Sequence, residues 1–129
     1  MNADERRLLL DQITEKVIGC AHLVSNGLGC GFLEKVYENA LAVELVQSGL
    51  KVVPQQKIEV RYKGVMVGEY IADLVVEDSV IIEVKAVKVL EQIHAAQCLN
   101  YLKATGYHVC LLINFGTPKA GIKRIVHEF

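Results

Sequence analysis

A chain of 129 residues, 52% hydrophobic and 22% charged, is long enough to bury a real core without disulfides or a structural metal, and too apolar to be disordered. No run approaches the roughly 20 apolar residues of a membrane span, and the opening MNADERRLLLDQ lacks the apolar centre of a signal peptide, so a cytoplasmic protein with no membrane partner is expected. The net charge of −1 argues against a tight nucleic-acid binder, because phosphate contacts favour a basic surface.

The charge is uneven. Residues 1–50 carry 4 basic and 7 acidic side chains, and residues 51–129 carry 10 basic and 8 acidic. Cys20, Cys30, Cys98 and Cys110 stand at no zinc-ligand spacing, so they read as reduced, buried thiols.

In chain order, a helix is expected over about 4–25, where Leu9, Ile13, Val17, Cys20, Ala21 and Val24 recur at helical steps. The glycine-rich run 26–31 ends it. No strand precedes that run and no Gly-Lys-Ser/Thr follows, so it is a turn and not a phosphate loop. A second helix is expected over 32–48, with Leu33, Val36, Tyr37, Ala40 and Leu41 as its core stripe and Gly49 as its stop. After Pro54 the period changes to two. Ile58, Val60 and Tyr62 alternate with Lys57, Glu59 and Arg61 in a strand, and two more strands are expected over 65–76 and 80–87. A third helix follows over 89–105, with Ala95, Cys98, Leu99 and Leu102 inward, then strands over 108–115 and 122–129. Helices interleaved with strands, and a helix joining two strands, predict a single α/β domain over 1–129 with a mixed central sheet flanked by helices.

The strand VIIEVKAV carries the chemistry. It is apolar enough to lie centrally, yet Glu83 and Lys85 share one of its faces with Ile81. A buried charge without a partner costs several kcal/mol, and Asp73 lies one short hairpin away, in position to pair with Glu83. Asp73 and Glu83, with the backbone carbonyl of Val84, would hold Mg²⁺ or Mn²⁺. Lys85 would face a phosphate or orient an attacking water. A Glu and a Lys two apart are also ordinary on a wet strand, so the pair is weak by itself. On the next helix His94, Gln97 and Tyr101 form a polar row beside the core stripe, able to reach the same cleft. Glu34 stands in the first turn of the second helix, where any acid is stabilised by the helix dipole; it joins the site only if that helix end faces the Asp73–Glu83 cleft.

The segment GFLEKVYENAL resembles the defining motif of the GxxExxY family, within the PD-(D/E)XK nuclease superfamily. The resemblance continues through YKG (62–64), ADL at Asp73, IIEVKAV (81–87), AQCLNYLKATG (96–106) and LLINFG (111–116). It implies a prokaryotic nuclease core in which Asp73, Glu83 and Lys85 match the catalytic signature, Glu34 the N-terminal helical acid, and Gln97 and Tyr101 the accessory pair. The expected activity is metal-dependent hydrolysis of phosphodiester bonds, in DNA before RNA. The alternative is a non-catalytic module that keeps the nuclease fold and binds nucleic acid or protein. A homodimer is a further expectation, since many small nucleases pair through a helix or an edge strand.

Overall fold

The first helix, α1 (Ala3–Leu28), begins where Asn2 caps it. The Asn2 side chain accepts from the Glu5 amide at 2.8 Å and donates to the Glu5 carboxylate at 3.0 Å, so freed N–H groups of the first turn are satisfied. The structure, a computed structural model, describes residues 1–128. The buried stripe of α1 is Leu10, Ile13, Val17, Cys20, Ala21 and Val24. Leu9, expected inside, is 43% exposed: the stripe needs only one residue per turn at that end, and Leu10 supplies it.

The chain then turns through Gly29 and Gly31, the latter at φ +112°, a conformation that side-chain-bearing residues rarely adopt. Helix α2 (Glu34–Gln47) follows. Tyr37 fixes its rotation. The Tyr37 hydroxyl donates to the Gly29 carbonyl at 2.7 Å and accepts from the Phe32 amide at 3.1 Å, and its ring stacks on Phe115 with centroids 4.9 Å apart. Tyr37, Leu41 and Leu45 therefore form the buried face. Leu33 and Val36, expected in that face, are turned outward and exposed.

Five strands make one mixed sheet: β1 (Val52–Tyr62), β2 (Val65–Val76), β3 (Val80–Lys85), β4 (Val109–Asn114) and β5 (Gly121–Val126). Their order is β1-β2-β3-β4-β5, with β3 and β4 parallel and every other pair antiparallel. Helix α3 (Gln92–Thr105) makes the crossover that the parallel pair requires. The α/β architecture is thus the expected one. The strand expected over 122–129 is shorter, and Phe129 lies outside the described residues. Pro54, after which the first strand was expected to begin, sits inside β1, which its place at the sheet edge permits because an edge strand can lack an N–H.

The sheet is covered on both faces, as the apolar run of β3 requires. Val80, Ile82 and Val84 pack with α1 and α2, whereas Ile81 packs with Cys98, Tyr101 and Leu102 of α3. Burying each such aliphatic side chain is worth about 1.5–3 kcal/mol, so β3 is held from both sides. Cys20, Cys98 and Cys110 are buried free thiols; Cys30, expected to be buried with them, is exposed on the glycine turn.

Candidate functional site

The β2–β3 ladder pairs Val76 with Val80, Val75 with Ile81 and Leu74 with Ile82. One step further, Asp73 stands opposite Glu83, and there side chains replace backbone partners. The Glu83 carboxylate accepts from the Asp73 amide at 3.2 Å, and the Asp73 carboxylate accepts from the Val84 amide at 2.8 Å. The β1–β2 ladder is interrupted at the same point. It pairs Pro54 with Leu74 and Gln56 with Ala72 but not Gln55 with Asp73, and Gln55 has φ +53°. Leu74 belongs to the α1/α2 face, while Ala72 and Val75 both belong to the α3 face. Strict alternation would separate those two, so β2 rotates at Asp73. That rotation opens the sheet and turns the carboxylate into the gap.

The acids are largely withdrawn from water. Glu83 is 4% exposed and Asp73 half-buried. Burial pushes the Glu83 carboxyl up to about 9, with the Asp73 charge adding to the rise. Burial likewise raises Asp73 to about 6; the Val84 amide opposes this and the charge of Glu38 reinforces it. Two carboxyl groups this close do not both ionise readily.

Glu38 is the acid that α2 contributes. It is 4% exposed, and its carboxylate is held by Lys35 Nζ at 2.6 Å and by Gln55 Nε2 at 2.9 Å. Gln55 thus ties the rotated point of β1 to α2. Glu34, the acid singled out by the sequence motif, is exposed in the first turn and takes part in no ion pair among the described residues. The motif signalled the helix; the acid that bears on Asp73 comes a turn later. Its burial depends on β1 and β2, and no local pattern announces it.

Lys85 ends β3 on the face of Glu83, half-buried, and its ammonium takes part in none of the ion pairs among the described residues. Its backbone is clamped from β4. The Phe115 amide donates to the Lys85 carbonyl at 2.8 Å. The buried Asn114 amide donates to the Val87 carbonyl at 2.8 Å, and its oxygen accepts from the Val87 and Gly116 amides, each at 3.0 Å. Gly116 runs so close that a Cβ there would lie 2.1 Å from the Val87 carbonyl oxygen. The part that Asn114 and Gly116 play at Val87 is not announced by the sequence, because nothing in an apolar strand followed by a turn predicts this contact.

From α3, Tyr101 is 4% exposed and packs into the core, while it still lines the cavity that His94 and Gln97 share. Burial raises its hydroxyl well above the ordinary value, with the charges of Glu83 and Asp73 adding to the rise, so it stays a hydrogen-bond donor. Gln97 and His94 line a cavity of about 370 Å³ beside it. His94 has a structural duty as well: its Nδ1 accepts from the Glu91 amide at 3.1 Å in a capping box that starts α3.

The side chains gathered around Asp73 are carboxylates, those of Glu83 and Glu38, oxygen donors of the kind preferred by hard divalent ions that keep several waters. Among the described residues, no cluster of three or more His, Cys, Asp and Glu side chains has metal-binding geometry. The chemistry of the Asp73–Glu83 pair therefore fits an ion held by few protein ligands, and does not fit a closed protein cage. No described helix is long and apolar enough to cross a membrane.

The chain resembles two solved structures in fold. One is an alkaline exonuclease from Laribacter hongkongensis, with a TM-score of 0.56 and 15% identity, covering 73% of this chain and 56% of that one. The other is SSO0001, with a TM-score of 0.58 and 14% identity, covering 74% of this chain and 51% of that one. The matched regions thus span about half the length of either structure. No curated protein matches the sequence significantly. The family match is more extensive, running over residues 11–125, from α1 into β5. On that match, with the fold in agreement, the chain belongs to the PD-(D/E)XK nuclease superfamily.

Proposed function

We propose that the protein is a metal-dependent nuclease that hydrolyses phosphodiester bonds, in DNA before RNA, as a single nuclease-like unit over residues 1–129 of the GxxExxY type. A cytoplasmic location suits that reading. The observation that carries it is the pair of hydrogen bonds where the ladder opens, from the Asp73 amide to the Glu83 carboxylate and from the Val84 amide to the Asp73 carboxylate, with Lys85 on the same face of β3 as Glu83.

In this reading Asp73 and Glu83, with the Val84 carbonyl, hold Mg²⁺ or Mn²⁺, and Glu38 takes the place expected for Glu34. The ion would supply the Lewis acid that polarises a phosphodiester oxygen and acidifies a water. Lys85 supplies a positive charge to the phosphate as negative charge grows on it. Gln97 offers an amide to the phosphate or the attacking water, and Tyr101 donates its hydroxyl from the cleft wall. Gln55 and Lys35 keep Glu38 in place.

The second reading is a binding module that retains the fold without cleaving, and the net charge of −1 favours it. Labelled single- and double-stranded DNA and RNA, incubated with Mg²⁺ or Mn²⁺, separate the two readings. Cleavage that stops with a chelator and in Lys85→Ala supports the nuclease. Binding without cleavage, unchanged in Glu83→Gln, supports the module.

A further inference from the structure

The cavity beside Tyr101 differs in chemistry from the acid site. Its lining includes Tyr70, Ile93, His94, Gln97, Asn100 and Tyr101. None of these is Lys, Arg, Asp or Glu, so the lining suits an uncharged group better than a phosphate. Its volume, about 370 Å³, suits a small flat ring system. Gln97 and Asn100 each present a donor and an acceptor, as the edge of a heterocycle requires.

Tyr70 gives the cavity its aromatic wall. It pairs with Ile58, a residue of the α3-side core, so it projects from β2 toward α3, yet it remains 50% exposed. Tyr101 supports it with ring centroids 5.7 Å apart and planes tilted by 51°. A half-exposed tyrosine alone is ordinary. Here it stands a few residues before Asp73 on the same strand, against a tyrosine whose hydroxyl is influenced by Glu83 and Asp73. Tyr101 also packs in one buried cluster with Ala72 and Ile81, the residues next to Asp73 on β2 and near Glu83 on β3, so the cavity wall and the acid pair share a neighbour.

We infer that Tyr70, backed by Tyr101 and flanked by Gln97 and Asn100, is a nucleobase subsite, and that the substrate enters as an unpaired nucleotide. The inference rests on the nuclease reading above and names the substrate class of that same site. A base inside a duplex has both faces stacked on its neighbours and its pairing edge occupied. A base that stacks on Tyr70 and offers its edge to the two amides must come from a single strand, a flap or a frayed end.

The test compares oligo-dT with a strand of the same length in which every base is removed, both with Ca²⁺ in place of Mg²⁺. The abasic strand keeps the phosphates and loses the rings. Wild type should bind oligo-dT about tenfold or more tightly than the abasic strand, the scale of one base stacked on an aromatic ring. Tyr70→Phe should keep that preference. Tyr70→Ala should lose it, while binding the abasic strand as wild type does. Asn100→Ala, an exposed change on α3, provides a second variant if Tyr70→Ala fails to fold, and should weaken binding of oligo-dT only. Equal binding of both strands by wild type, or a Tyr70→Ala that retains the preference, overturns the subsite and leaves the nuclease reading standing. Failure of wild type to bind either strand removes both.

Discussion

Asp73 and Glu83 make the protein's stability depend on pH in a direction opposite to that of most carboxylates. Glu83 moves from 4.5 to about 9 and Asp73 from 3.8 to about 6 on folding. The folded chain thus holds more protons than the unfolded chain between those values, and stability falls as pH rises through the window. The part due to Asp73 is lost first, between about pH 4 and 6, and the part due to Glu83 continues to about pH 9. Thermal melts of metal-free protein from pH 5 to pH 9 should show Tm falling, and Glu83→Gln should flatten the slope above pH 6. A Tm that rises over that range in wild type would contradict the burial described for the pair. At this scale the sequence was informative for Asp73, Glu83 and Lys85, because charges in an apolar strand demand a partner. It was uninformative for Glu38, whose burial is set by distant strands; Glu34, singled out by the motif GFLEKVYENAL, stands exposed one turn earlier.

Among elements, the junction between β3 and the loop to α3 is fixed from β4. Asn114 fills three hydrogen bonds to backbone around Val87 and Gly116, and it is 4% exposed. Asn114→Ala would leave those backbone groups unpaired at a cost of about 1–3 kcal/mol for each one cut off from water. Urea unfolding should register a loss of that order, with activity falling further than stability because the backbone of Lys85 is loosened. If Asn114→Ala left both unchanged, the clamp would have no part in positioning Lys85. The hairpin β1–β2 shows the limit of pattern reading. Its alternation through Ile58, Val60 and Tyr62 was plain, but the rotation at Gln55 and Asp73 keeps the register and changes the face. No glycine marks it, and Gln55 adopts positive φ because Glu38 and the open ladder hold it there.

For the whole molecule, the order of helices and strands was legible because β3 and β4 are continuous apolar runs and α3 must cross between them. Helix rotation was less legible. Leu9, Leu33 and Val36 satisfy a helical period, but Leu10 and Tyr37 decide which face turns inward. The completed fold brings α2, β2, β3 and α3 together at the opened ladder, where Glu38 and Tyr101 lie within electrostatic reach of the acid pair and Lys85 ends β3 on the face of Glu83. The proposed function requires the paired acids at the opened ladder to hold a divalent cation. Calorimetric titration of Mn²⁺ into wild type, Lys85→Ala, Asp73→Ala and Glu83→Gln at pH 8 tests it most directly. Saturable binding with proton release is expected in wild type, retained in Lys85→Ala and lost in Asp73→Ala and Glu83→Gln. Equal binding in all four proteins, or none in wild type, would contradict it.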